Sequence, residues 1–401
     1  MIFKKTQDSF LSFSIFGYLL MIVLFPQYIK YESLIIVLIM LLTCIFKKIS
    51  LKMDNISCLW AGYILIGFFS SIISRHIIFN NTIEALVSLI MSFIISVMIV
   101  SEEACKSRIK YIYILVTVVL SGACLQVIAP DFIFNFNKMH LNSEKFEMFY
   151  NFFRSGVLVG FSYQTAIVAF YCSIFIGINV SYFFCYKSEN TLIKNIFLLM
   201  FSVLALIVIF FTSKRSFILY SVFLVLLLCC FFCRKHIFKL IFYGTFLAIG
   251  LYELLINTKA GQRMIERSQG DSITTGRDIL AKRMIGFFCE SPIFGNGLAS
   301  TLSLITDYTN GHNIYIQILS ETGILGFVLL ISFFVINIKV AFKELINNVN
   351  DNQRCFIFSS CFCIEIIFLL WGFTGNPLYD VYPLFVYMSS IGVVWSMKSN
   401  S

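Results

Sequence analysis

The sequence predicts an all-α, polytopic membrane protein of about twelve transmembrane helices, and three observations predict it. Hydrophobic residues fill 59% of the 401 positions and charged residues only 13%, about half the charged share of a soluble domain. Phe alone occurs 46 times, mostly in runs with Ile, Leu and Val. Those runs reach the ~17–25 residues needed to cross ~30 Å of hydrocarbon. Backbone groups in hydrocarbon must be paired within their own segment, which selects helices over open strands.

Taken in order, the candidate spans lie near 10–26, 32–46, 56–73, 83–100, 111–128, 157–185, 192–212, 217–233, 237–256, 319–342, 355–372 and 381–397. The first follows a short basic flank, Met1 to Lys5, and has no small-residue cleavage site, so it reads as a retained span. The sixth is longer than a crossing requires and is expected to tilt or to extend past the bilayer. With the N-terminus inside, seventeen of the thirty Lys and Arg residues fall in inner segments, and six of the other thirteen sit in one long loop. Long loops escape the positive-inside rule, so both termini are expected in the cytoplasm of a bacterial inner membrane. Residues 1–401 then form one transmembrane domain with two long external segments, about 129–156 and, between the ninth and tenth spans, 257–318. Ordered loops of that length tend to carry function.

The net charge of +9 is scattered over short loops. No basic block is present to follow a phosphate backbone, and nucleic acid is excluded as a partner. The thirteen cysteines lie almost all in apolar spans or at their inner ends, so no disulfide framework is expected. Cys229, Cys230 and Cys233 read as small lipid-buried hydrophobes rather than metal ligands. No metal site or cofactor motif is present: there is no Asp-x-Asp pair, Gly-rich phosphate loop or Cys/His metal spacing.

Three polar elements stand out against this background. Thr212-Ser213-Lys214-Arg215-Ser216 is a tight external hairpin with two adjacent cations at a membrane edge. Such cations either snorkel to headgroups or bind an anion such as a lipid-borne phosphate, for which guanidinium offers a bidentate match. Next, Leu280, Met284, Phe287 and Phe288 recur at helical spacing after Gly276-Arg277, so an amphipathic helix carrying Arg277 and Arg283 is expected to rest on the membrane surface. Thr274 or Thr275 would cap it. Arg277 in the first turn opposes the helix dipole, a conflict that an anionic ligand would remove. Third, Asn313, Gln317 and Glu321 recur every four residues, a polar stripe descending into the tenth span below His312. Polar groups in a membrane are costly and need partners, and His312 has the intrinsic pKa to take a proton from a sugar hydroxyl near neutrality. Glu365, in the middle of the eleventh span, is given no catalytic role.

The order Thr-Ser-Lys-Arg-Ser, then Gly276-Arg277 with Ser291-Pro292-Ile293-Phe294-Gly295-Asn296-Gly297, then His312-Asn313 with Glu321-x-Gly323 and Gly326, resembles the O-antigen polymerase and O-antigen ligase superfamily. These are membrane glycosyltransferases that use polyprenyl-diphosphate-linked glycans, and the motifs cover roughly residues 200–330. The resemblance implies a GT-C-like fold in which Arg215 and Arg277 hold the diphosphate and His312 acts as base or orients the acceptor. Lys214, Arg154, Arg283, Asn313, Gln317 and Glu321 are the associated substrate-binding candidates. Arg154, followed by Gly160-Phe161-Ser162-Tyr163-Gln164, is similar to a family segment in which an Arg and a polar break open a span. Here Ser-Tyr-Gln stands in place of an Asn-Pro-Asn-like turn.

The implied reaction is metal-independent, inverting glycosyl transfer on the external face, from an undecaprenyl-diphosphate-linked donor to a sugar hydroxyl. A repeat-unit polymerase for O-antigen or capsule uses another lipid-linked repeat as acceptor; a ligase uses the lipid A core. The generic external segments and the Phe/Ile/Lys-rich composition favour the polymerase. A chain-length regulator is a further partner that a polymerase admits. A lipid-linked glycan flippase or other transporter would place ionisable groups near the midplane and show related halves, whereas the charges here crowd the outer rim.

Overall fold

A computed structural model describes residues 55–74, 78–100, 108–187, 191–232, 277–304 and 312–399 continuously, with scattered positions elsewhere. The continuous stretches fold into thirteen helices, with no strand among the described residues. They are α1 (Asn55–Ile73), α2 (Phe79–Val100), α3 (Arg108–Ile128), α4 (Pro130–His140), α5 (Ser143–Arg154), α6 (Thr165–Cys185), α7 (Leu192–Phe211), α8 (Arg215–Phe232), α9 (Arg277–Glu290), α10 (Thr301–Leu304), α11 (Ile314–Asn347), α12 (Asn352–Gly372) and α13 (Val381–Ser399). Eight of them, α1, α2, α3, α6, α7, α8, α11 and α12, are long and apolar enough to cross a membrane. The expected spans near 10–26, 32–46 and 237–256 fall mostly outside the described residues. The last expected span is present as α13, almost wholly enclosed by its neighbours.

Helices α6 and α12 form the centre. They pack on each other, α6 also touching α3, α7 and α8, and α12 touching α11 and α13. Hydroxyl pairs cross these contacts: Ser181 with Ser359 at 2.7 Å and Ser173 with Ser221 at 2.9 Å. Lipid tails are as apolar as Leu, so helix association relies on close packing and such hydrogen bonds. Aromatic rings fill the remainder, with Phe368 stacked on Tyr387 at 4.1 Å and Phe170 against Trp371 at 5.2 Å. On α7, by contrast, Leu192, Ile196, Leu199 and Met200 are exposed, as a lipid-facing surface requires. The described cysteines are free; Cys185 and Cys355 stand 3.1 Å apart as thiols.

The segment 129–156 contains two helices, α4 and α5, packed through Ile133, Leu141 and Phe149. Two expectations are corrected. The described helix α9 does turn Leu280, Met284, Phe287 and Phe288 inward, but against α11 rather than a membrane surface. And the sixth span begins at Thr165, not near 157, because residues 155–164 are held in an irregular path. Gln126 of α3 accepts from the amides of Val159 and Gly160, each at 2.8 Å, and donates to Val157 O at 2.9 Å. Asn137 of α4 donates to Gly160 O at 2.9 Å. Gly160 has φ of 56°, and a Cβ there would meet Ala123 N at 2.7 Å, so only glycine allows this fit.

A second irregular segment, 291–300, locks into a break in α11. At Gly323 the backbone leaves the helix (φ 62°, ψ −167°), freeing carbonyls above the break and amides below it. The 291–300 segment satisfies both sets. Asn296 N donates to Ser320 O at 3.0 Å and Gly297 N to Glu321 O at 2.8 Å, while Ile324 N and Leu325 N donate to Pro292 O and Ile293 O at 2.9 and 3.4 Å. A Cβ on Gly295 or Gly323 would collide with the backbone of the other segment. Ser70 and Ser71 of α1 complete the lock, Ser70 bonding Glu321 O at 2.8 Å and Gly297 N at 2.9 Å, and Ser71 bonding Leu298 N at 3.0 Å. Irregular backbone at membrane depth is tolerated only when protein satisfies it in this way.

Candidate functional site

Both irregular segments lie at one end of the bundle, around a cavity of about 650 Å³. Lys214, Arg277 and His312 contribute to its lining. Each sits at a helix start. Helix α7 stops at Phe211, Thr212 Oγ1 donates to Ile209 O at 2.6 Å, and Ser213 takes a left-handed turn (φ 59°) that delivers Lys214 and Arg215 to the head of α8. Arg277 opens α9. His312 is left-handed as well (φ 51°) and precedes Asn313, which caps α11 by accepting from the amides of Tyr315 and Ile316 at 3.1 and 3.2 Å. Among the described residues the non-glycine positions with positive φ are Ser213, Ala299 and His312. Ala299 and His312 line the cavity, and Ser213 adjoins Lys214, which lines it too. Sparsely populated backbone conformations tend to gather at functional sites.

The cations act on one another. Burial lowers the Arg277 pKa, and the like charge of Arg215 lowers it further, while Tyr220 opposes both. The His312 pKa is also lowered, first by burial, then by Arg277 and then by Lys214. An imidazole so placed is neutral at neutral pH and able to accept a proton. Tyr220 is tied to Thr374 at 3.0 Å, and Thr374 to Ser216 at 3.3 Å, joining the head of α8 to the end of α12 beside these charges. Positive groups gathered with mutual repulsion make a site complementary to an anion.

The rest of the cavity is different in character. Tyr163, Gln164, Asn376 and Asp380 line it, with Lys145, Glu84 and Glu144. Burial raises the Asp380 carboxyl to about 7, offset in part by the hydrogen bond from Tyr382 N and by Lys145. Among the described residues no group of three His, Cys, Asp or Glu side chains could hold a metal ion.

The nine residues singled out from the sequence separate into distinct groups. Lys214, Arg277 and His312 line the cavity, with Arg215 in electrostatic reach of Arg277. The structure ties the stripe to partners within the protein. Asn313 is a helix cap. Gln317 and Glu321 are fully buried: Gln317 Nε2 donates to Glu321 Oε1 at 2.9 Å, Thr301 donates to the same oxygen at 2.6 Å, and Tyr379 donates to the other. A polar stripe inside an apolar bundle needs partners, and here they are protein groups. Arg154 and Arg283 are exposed at the end of α5 and on α9, and neither is among the lining residues. Glu365 is buried in α12, and neither carboxyl oxygen has a hydrogen-bond partner among the described residues.

Sequence reasoning missed Lys145, Asn376 and Asp380. The signal for the last two was the short polar run Thr374-Gly375-Asn376-Pro377 with Asp380 between two apolar spans, which reads as an ordinary connection. Lys145 had none beyond its place in a long segment.

The family model for O-antigen ligase matches residues 200–331. That stretch contains Lys214, Arg215, Arg277, His312 and the interlocked segments 291–300 and 320–325. No curated protein matches the chain.

Proposed function

We propose that this chain, which matches the O-antigen ligase family model over residues 200–331, is a repeat-unit polymerase. It transfers a glycan from polyprenyl diphosphate to the sugar hydroxyl of another lipid-linked repeat unit, at the external face of a bacterial inner membrane. Lys214, Arg215 and Arg277 hold the diphosphate. They stabilise the negative charge that grows on it as the anomeric C–O bond breaks. His312, whose pKa is lowered first by burial and then by its cationic neighbours, takes the proton from the attacking hydroxyl. The new C–O bond forms on the face opposite the departing diphosphate, so the anomeric configuration inverts. Confining two lipid-anchored substrates to one cavity adds the advantage of proximity.

One observation supports this reading: Lys214, Arg277 and His312, drawn from three separate places in the chain, line one large cavity, with Arg215 in electrostatic reach of Arg277. Alanine at Arg215, Arg277 or His312 is expected to cut polymer formation by about 10²–10⁴-fold with membrane abundance retained. Polymer at the unsubstituted level from all three well-expressed variants would remove the site.

The ligase reading has the description of the matching family on its side. Deleting the gene distinguishes them. Surface glycan of a single repeat marks a lost polymerase, and polymer accumulating on the carrier lipid marks a lost ligase.

A further inference from the structure

Away from the cations, the cavity wall offers hydrogen-bond acceptors. Asn376 lines it from the connection between α12 and α13. Its amide nitrogen donates to Gln317 Oε1 at 3.1 Å, and Gln317 Nε2 donates in turn to Glu321 Oε1 at 2.9 Å. Glu321 receives hydrogen bonds on both oxygens, from Thr301 at 2.6 Å and from Tyr379. A carboxylate only accepts, so it fixes the direction of the relay: both amides must turn their NH2 groups toward Glu321. Asn376 Oδ1, shielded from the cavity in this conformation, is a buried acceptor with no partner among the described residues. Unpaired buried acceptors are rare, and each one calls for a missing donor.

Four residues further on, Asp380 lines the same cavity and accepts from Tyr382 N at 3.3 Å, capping α13. The cation acting on Asp380 is Lys145, whose Nζ stands 5.1 Å from the ring centre of Tyr163; Lys214 and Arg277 act on His312 instead. The cation beside this wall is thus Lys145, from a different part of the chain than Lys214 and Arg277. The Asp380 carboxyl and an amide oxygen accept hydrogen bonds from O–H or N–H donors, which an ionised diphosphate does not supply. Aromatic faces with a few fixed polar groups are the usual make-up of a small-molecule pocket. A polyhydroxylated sugar meets those demands, and a second diphosphate does not.

We propose that Asn376 and Asp380, with Tyr163 and Gln164 in the same lining, form the subsite that binds the hydroxyl groups of the acceptor glycan, and that Gln317 is a positioning residue holding the Asn376 amide in register. This rests on reading the cavity as a glycosyl-transfer site, and it gives the buried stripe a part in that site without contact to substrate.

The test measures two equilibria on the purified full chain in lipid nanodiscs. One probe is undecaprenyl diphosphate. The other is the repeat-unit saccharide released by mild acid from the source cells' own lipid-linked glycan. Asp380→Asn keeps the helix cap, since Asn caps as well as Asp. It and Asn376→Ala are each expected to weaken saccharide binding about tenfold, the loss of one good hydrogen bond, and to leave undecaprenyl diphosphate within about twofold. Gln317→Leu should show the same split at about threefold. Saccharide affinity unchanged in both Asp380→Asn and Asn376→Ala overturns the proposal. Equal weakening of both ligands overturns it too, because the wall would not then be a separate subsite. Undecaprenyl diphosphate binding that survives Arg277→Ala would instead sink the transfer reading itself, whatever the saccharide does.

Discussion

Two groups of polar residues in this chain carry the same kind of sequence signal and do opposite things. Lys214, Arg277 and His312 stand at helix starts, line the cavity and keep charges close enough to repel. Gln317 and Glu321, a turn or two below His312 on α11, are fully buried and bonded to Thr301, Tyr379 and Asn376. The first group lines a cavity and the second is bonded within the bundle. The difference lies in what sits opposite. The stripe faces the 291–300 segment and the α12–α13 connection, both of which supply partners, whereas the cations face open volume. Catalytic placement at this end depends on the bracing: the break at Gly323 lets the short first part of α11 hold His312 at the cavity while the long remainder continues through the bundle.

That contrast can be broken most strongly at Gly323. Gly323→Ala puts a side chain on a left-handed residue whose Cβ would strike the backbone of Ile293. A destabilisation of about 3 kcal/mol or more is expected from strain and overpacking together. It should appear as lost membrane abundance and early thermal unfolding in detergent, rather than as inactive but folded protein. A well-folded, fully abundant Gly323→Ala would show that the interlock does not carry the architecture assigned to it.

A smaller effect sharpens the other side. Arg215→Lys retains the charge and loses the planar fork, so about a tenfold fall in polymer formation is expected with abundance unchanged. Full activity would mean that a point charge suffices and that no bidentate contact forms. Smallest of all, Arg154→Ala and Arg283→Ala remove exposed cations that do not line the cavity, and both should stay within about twofold of the unsubstituted rate. A large loss in either would enlarge the site beyond the cavity.

The bundle was legible in the sequence because long apolar runs in lipid leave the backbone few choices. The apolar runs expected within the described residues all appear as helices, and three residues that line the cavity stood out beforehand: Lys214 as a span-edge cation, Arg277 as a first-turn cation and His312 at the mouth of the tenth span. Other features were hidden for physical reasons. An i, i+4 stripe looks the same whether it meets a ligand or a neighbouring segment, so the bracing role of Gln317 and Glu321 depends on who lies across from them. The start of α6 was misplaced because Val157 to Phe161 is apolar enough to pass for helix, while its path is dictated by Gln126 and Asn137 from distant positions. Asn376 and Asp380 went unnoticed because a short polar turn between spans is ordinary until the relay behind it is known.

The central claim, that the cationic end holds a diphosphate against His312, is tested most directly by the titration of His312 itself. Carbon-13 histidine NMR can follow it among the four histidines of the chain, with His312→Gln used to assign the signal. In the free protein His312 should titrate below the ordinary 6.5, since burial, Arg277 and Lys214 all disfavour its charged form. The neutral imidazole then persists to lower pH than usual and is lost only as pH falls through that depressed value. Saturating undecaprenyl diphosphate brings negative charge beside the ring, so the pKa should rise. A His312 pKa that stays in place while the diphosphate is demonstrably bound would contradict the account.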